Sequence, residues 1–195
     1  MKALKTWGVF LTIALILSSA PAAAQTRPDP IALDVPNIEQ ETKYWCWAAL
    51  VQQIVIARKI GQPPSQCQLV NAVNEKRGRT DADCCLASSS GDSNCDRMAD
   101  APEIGELIRS YGTKVEQVKI PARPEEVYDY LISGRVLLCG LKTAGGYHHI
   151  YLVRGLSWEN GRAMLLVNDP ASGGGSLKID FDEARATWMQ TLLIG

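Results

Sequence analysis

Tyr44-Trp45-Cys46-Trp47-Ala48-Ala49-Leu50-Val51-Gln52-Gln53-Ile54-Val55-Ile56-Ala57 is the stretch whose reading decides the fold. Trp47, Leu50, Val51, Ile54 and Val55 recur at three- and four-residue intervals, which lays one apolar stripe along a helix and leaves Gln52, Gln53 and Arg58 off it. A cysteine therefore stands in the first turn of a buried helix. The free amide N–H groups and aligned peptide dipoles at a helix N-terminus favour negative charge, so a thiol there ionises more readily, and the thiolate is the nucleophilic form. The same position also suits a small core residue wedged between two tryptophans, so the decision falls to the rest of the chain.

At 195 residues, 46% apolar and 21% charged, the chain has the composition of a single globular domain. Its start breaks that pattern: Lys2 and Lys5 precede an apolar run over residues 7–17, followed by Ser18, Ser19, Pro21 and Ala22-Ala23-Ala24. These are the three parts of a secretory signal peptide, and the run is short for a bilayer span. Cleavage after Ala24 is expected, with an uncleaved anchor as the alternative. Residues 25–36, with Pro28 and Pro30, then form an extended lead-in to one domain over residues 37–195. Losing two lysines leaves 18 basic against 21 acidic residues, a formal charge of −3. That argues against a nucleic-acid surface, for which a basic stripe is expected. The expected product is a secreted or periplasmic monomer with no membrane partner once the leader is gone.

Residues 37–43 form a polar loop ahead of the Cys46 helix, and Gly61, Pro63 and Pro64 end that region. A second helix starts at Ser65, with Gln68 as capping-box partner and Leu69, Val70 and Val73 following. Residues 78–100 lack hydrophobic periodicity and are rich in Ser, Asp, Asn and Cys, a long loop that needs something to hold it. Pro102 opens a helix with Ile104, Leu107, Ile108 and Tyr111, stopped by Gly112; Pro124 opens another with Val127, Tyr128 and Leu131, ended by Gly134. Strands are expected over residues 113–120, 135–141, 149–156, 162–168, 177–179 and 188–194. Asn160-Gly161 marks a hairpin turn. Helices first and an antiparallel sheet afterwards is an α+β domain.

The six cysteines are Cys46, Cys67, Cys84, Cys85, Cys95 and Cys139. An exported chain meets oxidising conditions, where two bridges among Cys67, Cys84, Cys85 and Cys95 would hold the long loop. Bridging the adjacent pair to itself strains the backbone, which leaves Cys67 with Cys84 and Cys85 with Cys95, or the crossed version. A zinc site is the rival use of these residues, but no C-x-x-C pair is present. Cys139, in the apolar run Val136-Leu137-Leu138, reads as a buried strand residue. Cys46 is left unpaired.

A nucleophilic thiol needs a base, a group that orients the base, and oxyanion donors. The only two histidines are His148 and His149, and adjacent strand residues face opposite ways, so at most one points at Cys46. Folding the hairpin about Asn160 pairs residues whose numbers sum to roughly 319, good to a residue or two, which sets His149 beside Asp169. Asn168 is the alternative orienter, and Asp169 before Pro170 also reads as a plain turn residue. Gln40 lies in the polar loop, where its side-chain amide could donate to an oxyanion together with the Cys46 backbone N–H.

Gln40, then Cys46 in W-C-W-A-A, then G-G-Y-H-H-I-Y-L-V-R-G and V-N-D-P resemble the secreted bacterial branch of the papain-like cysteine peptidases. Relatives of that branch include avirulence effector proteases and the peptidase domains of bacteriocin-exporting transporters. The resemblance spans about residues 37–194. It implies a papain-like fold, with the nucleophile helix of an N-terminal helical part packed on a C-terminal antiparallel sheet. It also implies hydrolysis of peptide bonds in a peptide or protein substrate, with no metal or organic cofactor. Cys46 is then the nucleophile, His149 the base through its spacing to Gly155, Asp169 the orienter and Gln40 the oxyanion donor, while Trp45 and Trp47 pack the helix and shape the cleft walls. The cysteine run resembles the disulfide-bearing insertion of secreted members, and the doubled histidine is a departure. Acyl transfer or deamidation at the same site, and a non-catalytic papain-like binding module, are the alternatives.

Overall fold

The tryptophan-flanked stretch forms helix α1, Cys46–Ala57, and it is more enclosed than a single stripe requires: Gln53 is 0% exposed, like Leu50 and Val51. The Gln53 amide is buried because it has partners, donating from Nε2 to the Ile38 carbonyl at 2.9 Å. The computed structural model describes residues 27–86, 91–142, 148–171 and 175–195. The expected leader, and Gly145, Gly146, Gly173 and Gly174, lie outside the described residues.

Helix α2, Gln66–Lys76, begins at the expected Ser65, with both hydrogen bonds of the capping box to Gln68 formed. Helix α3, Ala101–Ser110, begins just ahead of Pro102 because Asp100 and Glu103 form a second capping box. Helix α4 is Pro124–Ile132. The strands are β1 (Ile31–Ala32), β2 (Val115–Val118), β3 (Val136–Lys142), β4 (His148–Glu159), β5 (Arg162–Asp169), β6 (Gly175–Asp180) and β7 (Trp188–Ile194). They pair antiparallel in the order β2-β7-β3-β4-β5-β6, with β1 on β4. Helix α5, Phe181–Thr187, has no counterpart in the hydrophobic pattern. It spans too few residues to show a period, although its cap is legible: Asp180 accepts from the N–H groups of Asp182 and Glu183.

The helices cover both faces of the sheet. Val136, Leu138 and Leu152 pack with α1, α2 and α3, while Leu137, Cys139, Leu141 and Val153 pack with Val127 and Leu131 of α4 and Phe181 of α5. That double cover explains why β3 reads as a continuous apolar run rather than an alternating one. Glycine is required at 155, because a Cβ there would lie 2.7 Å from the Ile31 carbonyl oxygen where β1 crosses β4.

The two bridges are Cys67–Cys85 and Cys84–Cys95, the crossed pairing. One face of α2 selects it. Asn71 donates to Asp83 and accepts from the Cys84 N–H, and Asn74 donates to the Asn94 carbonyl, so the loop lies along the side of α2 that carries Cys67. Cys46 and Cys139 are free and buried. Among the described residues no helix is long and apolar enough to cross a membrane.

Candidate active site

Cys46 opens α1 and is 5% exposed. Trp45 occupies the N-cap position and its side chain makes no capping hydrogen bond to the first-turn N–H groups. The flanking indoles are spoken for: Trp45 Nε1 donates to the Cys95 carbonyl at 2.7 Å and Trp47 Nε1 to the Arg97 carbonyl at 3.2 Å. The Cys46 end of α1 is thereby tied to the disulfide loop. Trp47, 1% exposed, belongs wholly to the core, and Trp45 is the one of the pair that borders a cavity.

The β4–β5 hairpin turns at Asn160 (φ 47°) and Gly161 (φ 91°), the two positive-φ positions of a tight turn. It pairs Glu159 with Arg162, and a bulge at Arg154 then shifts the register so that Leu152 faces Asn168. His149 and Asp169 meet with Nε2 2.7 Å from Oδ1. The Cys46 side chain acts on the same ring, and Asp169 holds its Nε2, which leaves Nδ1 as the ring nitrogen without a carboxylate partner. His149 also lies edge-on to Tyr151, ring centroids 5.0 Å apart. His148 is exposed, opposite Lys142 on β3.

Asp169 combines the two uses the sequence allowed. Its Oδ1 accepts from the Ala171 N–H across Pro170 at 2.9 Å, a turn contact, as well as from the imidazole. Asn168 makes its hydrogen bonds with Arg154, Ser176, Gln53 and the Val35 and Pro36 carbonyls. It is 0% exposed, accepts from Arg154 and donates to Gln53 Oε1 at 2.9 Å. This bond joins the helix that carries the thiol to the strand that carries the carboxylate. Gln53→Leu removes it together with the donation to the Ile38 carbonyl, with an expected stability loss of about 1–3 kcal/mol measurable by urea unfolding.

The loop carrying Gln40 is held from two sides. Its backbone N–H donates to the Pro170 carbonyl at 2.7 Å, while buried Gln66 binds the Glu39 carbonyl and the Glu41 N–H. Nothing in the sequence singles out Gln66, because a glutamine at a helix start carries no mark of such a role. Gln40 Nε2 itself donates to the carbonyls of Thr42 (2.7 Å) and Lys43 (2.9 Å). Its Oε1 and the neighbouring Thr42 Oγ1 are buried without partners.

Burial works against an imidazolium at 149, but the hydrogen bonds and negative charge of Asp169 and Cys46 overcome it and push the His149 pKa up to about 9. The ring therefore carries its proton at neutral pH between a sulfur and a carboxylate. Burial raises the Cys139 thiol well above its ordinary range, so that sulfur is inert. One cavity of about 250 Å³ lies on the Trp45 side and another of about 340 Å³ beside His149 and Tyr151.

A comparison with curated protein sequences found no match. Among solved structures, the chain is similar to the peptidase domain of Streptococcus ComA, a bifunctional ABC transporter of a quorum-sensing pathway. The TM-score is 0.58 at 14% identity, over 83% of this chain and 98% of that one. It is also similar to a C39-like peptidase from Bacillus anthracis, with a TM-score of 0.57 at 12% identity, over 86% of this chain and 98% of that one. At such identities the likeness is one of fold, and the fold is papain-like. The sequence profile of the papain-like cysteine protease AvrRpt2 family matches residues 30–181, from the strand that crosses Gly155 to the first residue of α5. This chain belongs to that family of papain-like cysteine proteases.

Proposed function

We propose that the protein is an exported thiol protease that cuts backbone peptide bonds with Cys46 as nucleophile, His149 as acid and base, and Asp169 as orienter. The observation that carries this reading is the His149 ring held by Asp169 at 2.7 Å and raised in pKa by both Asp169 and Cys46. With the proton already on the ring, sulfur attacks the carbonyl carbon as a thiolate and the imidazolium gives its proton to the leaving amine. Consuming the thiolate removes one of the charges that raised the His149 pKa, so the neutral ring is poised to take a proton from the water that releases the acyl group. The Cys46 backbone N–H and Gln40 Nε2 are the oxyanion donors. Gln40 serves by turning one N–H from the Thr42 or Lys43 carbonyl towards the developing charge.

The leader-like residues 1–24 and the two disulfides support export to an oxidising compartment. Incubation with a mixed peptide library should yield fragment pairs whose masses sum to a parent peptide plus one water, and Cys46→Ala should yield none. Intact peptides that have lost a side-chain amide, or gained an amine, would assign the site to deamidation or acyl transfer instead.

A further inference from the structure

Gln66 is the first residue of α2 and is 1% exposed, an unusual place for a primary amide. Burying such a group is costly unless its donor and acceptor are used, and here they are. Nε2 donates to the Glu39 carbonyl at 2.7 Å, and Oε1 accepts from the Glu41 N–H at 2.9 Å. One planar side chain therefore grips the backbone on both sides of Gln40. We propose that Gln66 is a positioning residue for the reaction: it fixes the backbone of Gln40, so that the Gln40 amide meets the oxyanion without the loop having to reorganise. The inference rests on the oxyanion role given to Gln40 above and adds what sets its geometry.

Concealment of polar groups does not explain the grip. Glu39 and Glu41 are exposed, so water is at hand for the carbonyl and the N–H that Gln66 takes. What the amide adds is a fixed position. Four successive residues are held in this way: Gln53 Nε2 donates to the Ile38 carbonyl at 2.9 Å, Gln66 binds residues 39 and 41, and the Gln40 N–H donates to the Pro170 carbonyl at 2.7 Å. The holders come from α1, from α2 and from the residue after Asp169, so the loop is registered against the elements that carry Cys46 and Asp169. The Gln40 side chain contrasts with its backbone. Its Nε2 rests on the Thr42 and Lys43 carbonyls, and its Oε1 is buried without a partner. A held main chain with a side chain able to exchange acceptors lets one N–H turn to a developing charge while the loop stays still.

Gln66 is itself braced. The Ser65–Gln68 capping box locks the turn that it opens, and the next residue, Cys67, is bridged to Cys85. Gln52 Oε1 lies 3.4 Å from Gln66 Nε2, and Gln52 in turn donates to the Pro64 carbonyl at 2.8 Å. Such bracing matters because a displacement of about 1 Å at a reacting centre can cost roughly 10²-fold in rate.

The test measures kcat and KM on a library peptide that the parent cleaves, for Gln66→Met, Gln40→Ala and the double variant, all in the full chain. Methionine keeps the length and helix preference of glutamine but makes neither hydrogen bond. Gln66→Met should lower kcat roughly 10–100-fold with KM within about twofold of the parent. It should cost nothing further in Gln40→Ala, because the clamp acts through Gln40. Alkylation of Cys46 by iodoacetamide, in which sulfur displaces iodide at a saturated carbon and no carbonyl oxyanion forms, should keep the parent rate in all three variants. A general structural loss would lower kcat in both backgrounds and slow alkylation as well. That result, or an unchanged kcat in folded Gln66→Met, overturns the clamp and leaves the protease reading standing. Should near-ultraviolet circular dichroism show Gln66→Met unfolded, Gln66→Glu, which keeps the acceptor oxygen and loses the donor, is read by the same cycle. Parent-like kcat in Gln40→Ala removes the oxyanion role of Gln40 and the clamp with it, while Cys46 and His149 keep their roles. A parent that cleaves no library peptide overturns the protease reading and the clamp together.

Discussion

His149→Ala is expected to lower kcat/KM by about 10²–10⁴-fold, the range that a positioned acid–base group contributes, while His148→Ala stays near the parent value. The two residues are neighbours of the same type, and the sequence separates them only through strand parity and the spacing of His149 to Gly155. The structure separates them too: His149 faces Asp169 at 2.7 Å and its pKa is raised by Asp169 and Cys46, whereas His148 is exposed opposite Lys142. Labelling by a peptidyl thiol-reactive probe should follow the same split, because a sulfur that has lost its imidazolium partner reacts more slowly at neutral pH. Equal losses in the two variants would remove His149 from the proposed role.

Asp169→Asn should produce the second large loss. A comparable Asp→Asn change in a serine-protease triad costs about 10⁴ in kcat, and the expected value here is smaller. The carboxamide oxygen that the substitution leaves in place can still accept the ring N–H, though without the charge that favours an imidazolium. The variant's pH dependence identifies the cause. In the parent, burial of His149 opposes the charged ring, but the hydrogen bonds and charges of Asp169 and Cys46 outweigh it and raise the pKa from 6.5 to about 9. A raised pKa means that the folded state holds the proton more tightly than the unfolded chain. The resulting stability is therefore fully present below pH 6.5 and lost as the pH rises through about 9. Thermal midpoints of the parent should fall across that window, and those of Asp169→Asn should fall less. Identical slopes would show that Asp169 is not what holds the proton on His149.

Much of this architecture is local and legible without coordinates. The Ser65 capping box, the Gly112 and Gly134 helix stops and the Asn160-Gly161 turn act over a few residues, so the order of letters suffices to read them. Where local reasoning fails, it fails for definable reasons. Gln53 reads as lying off the apolar stripe because periodicity counts apolar residues and is blind to an amide buried among partners. Helix α5 escapes the pattern because Phe181–Thr187 is under two turns long. Trp47, expected to help shape the cleft, is instead sealed in the core by its bond to the Arg97 carbonyl and the apolar residues around it.

By itself the sequence determined that a cysteine would open a buried helix, that a polar loop would precede it, and that a histidine strand would fold back on an Asn-Asp-Pro strand end. Each of these follows from periodicity, caps and turn residues within one segment. Tertiary structure alone decided which bridges form, and that Asn168 binds Gln53 while Asp169 binds His149. The physical reason is parity and distance. One residue more or less in a strand register exchanges the two faces of the sheet, and the bulge at Arg154 together with the side of α2 that the loop follows is settled by packing between segments far apart in the chain.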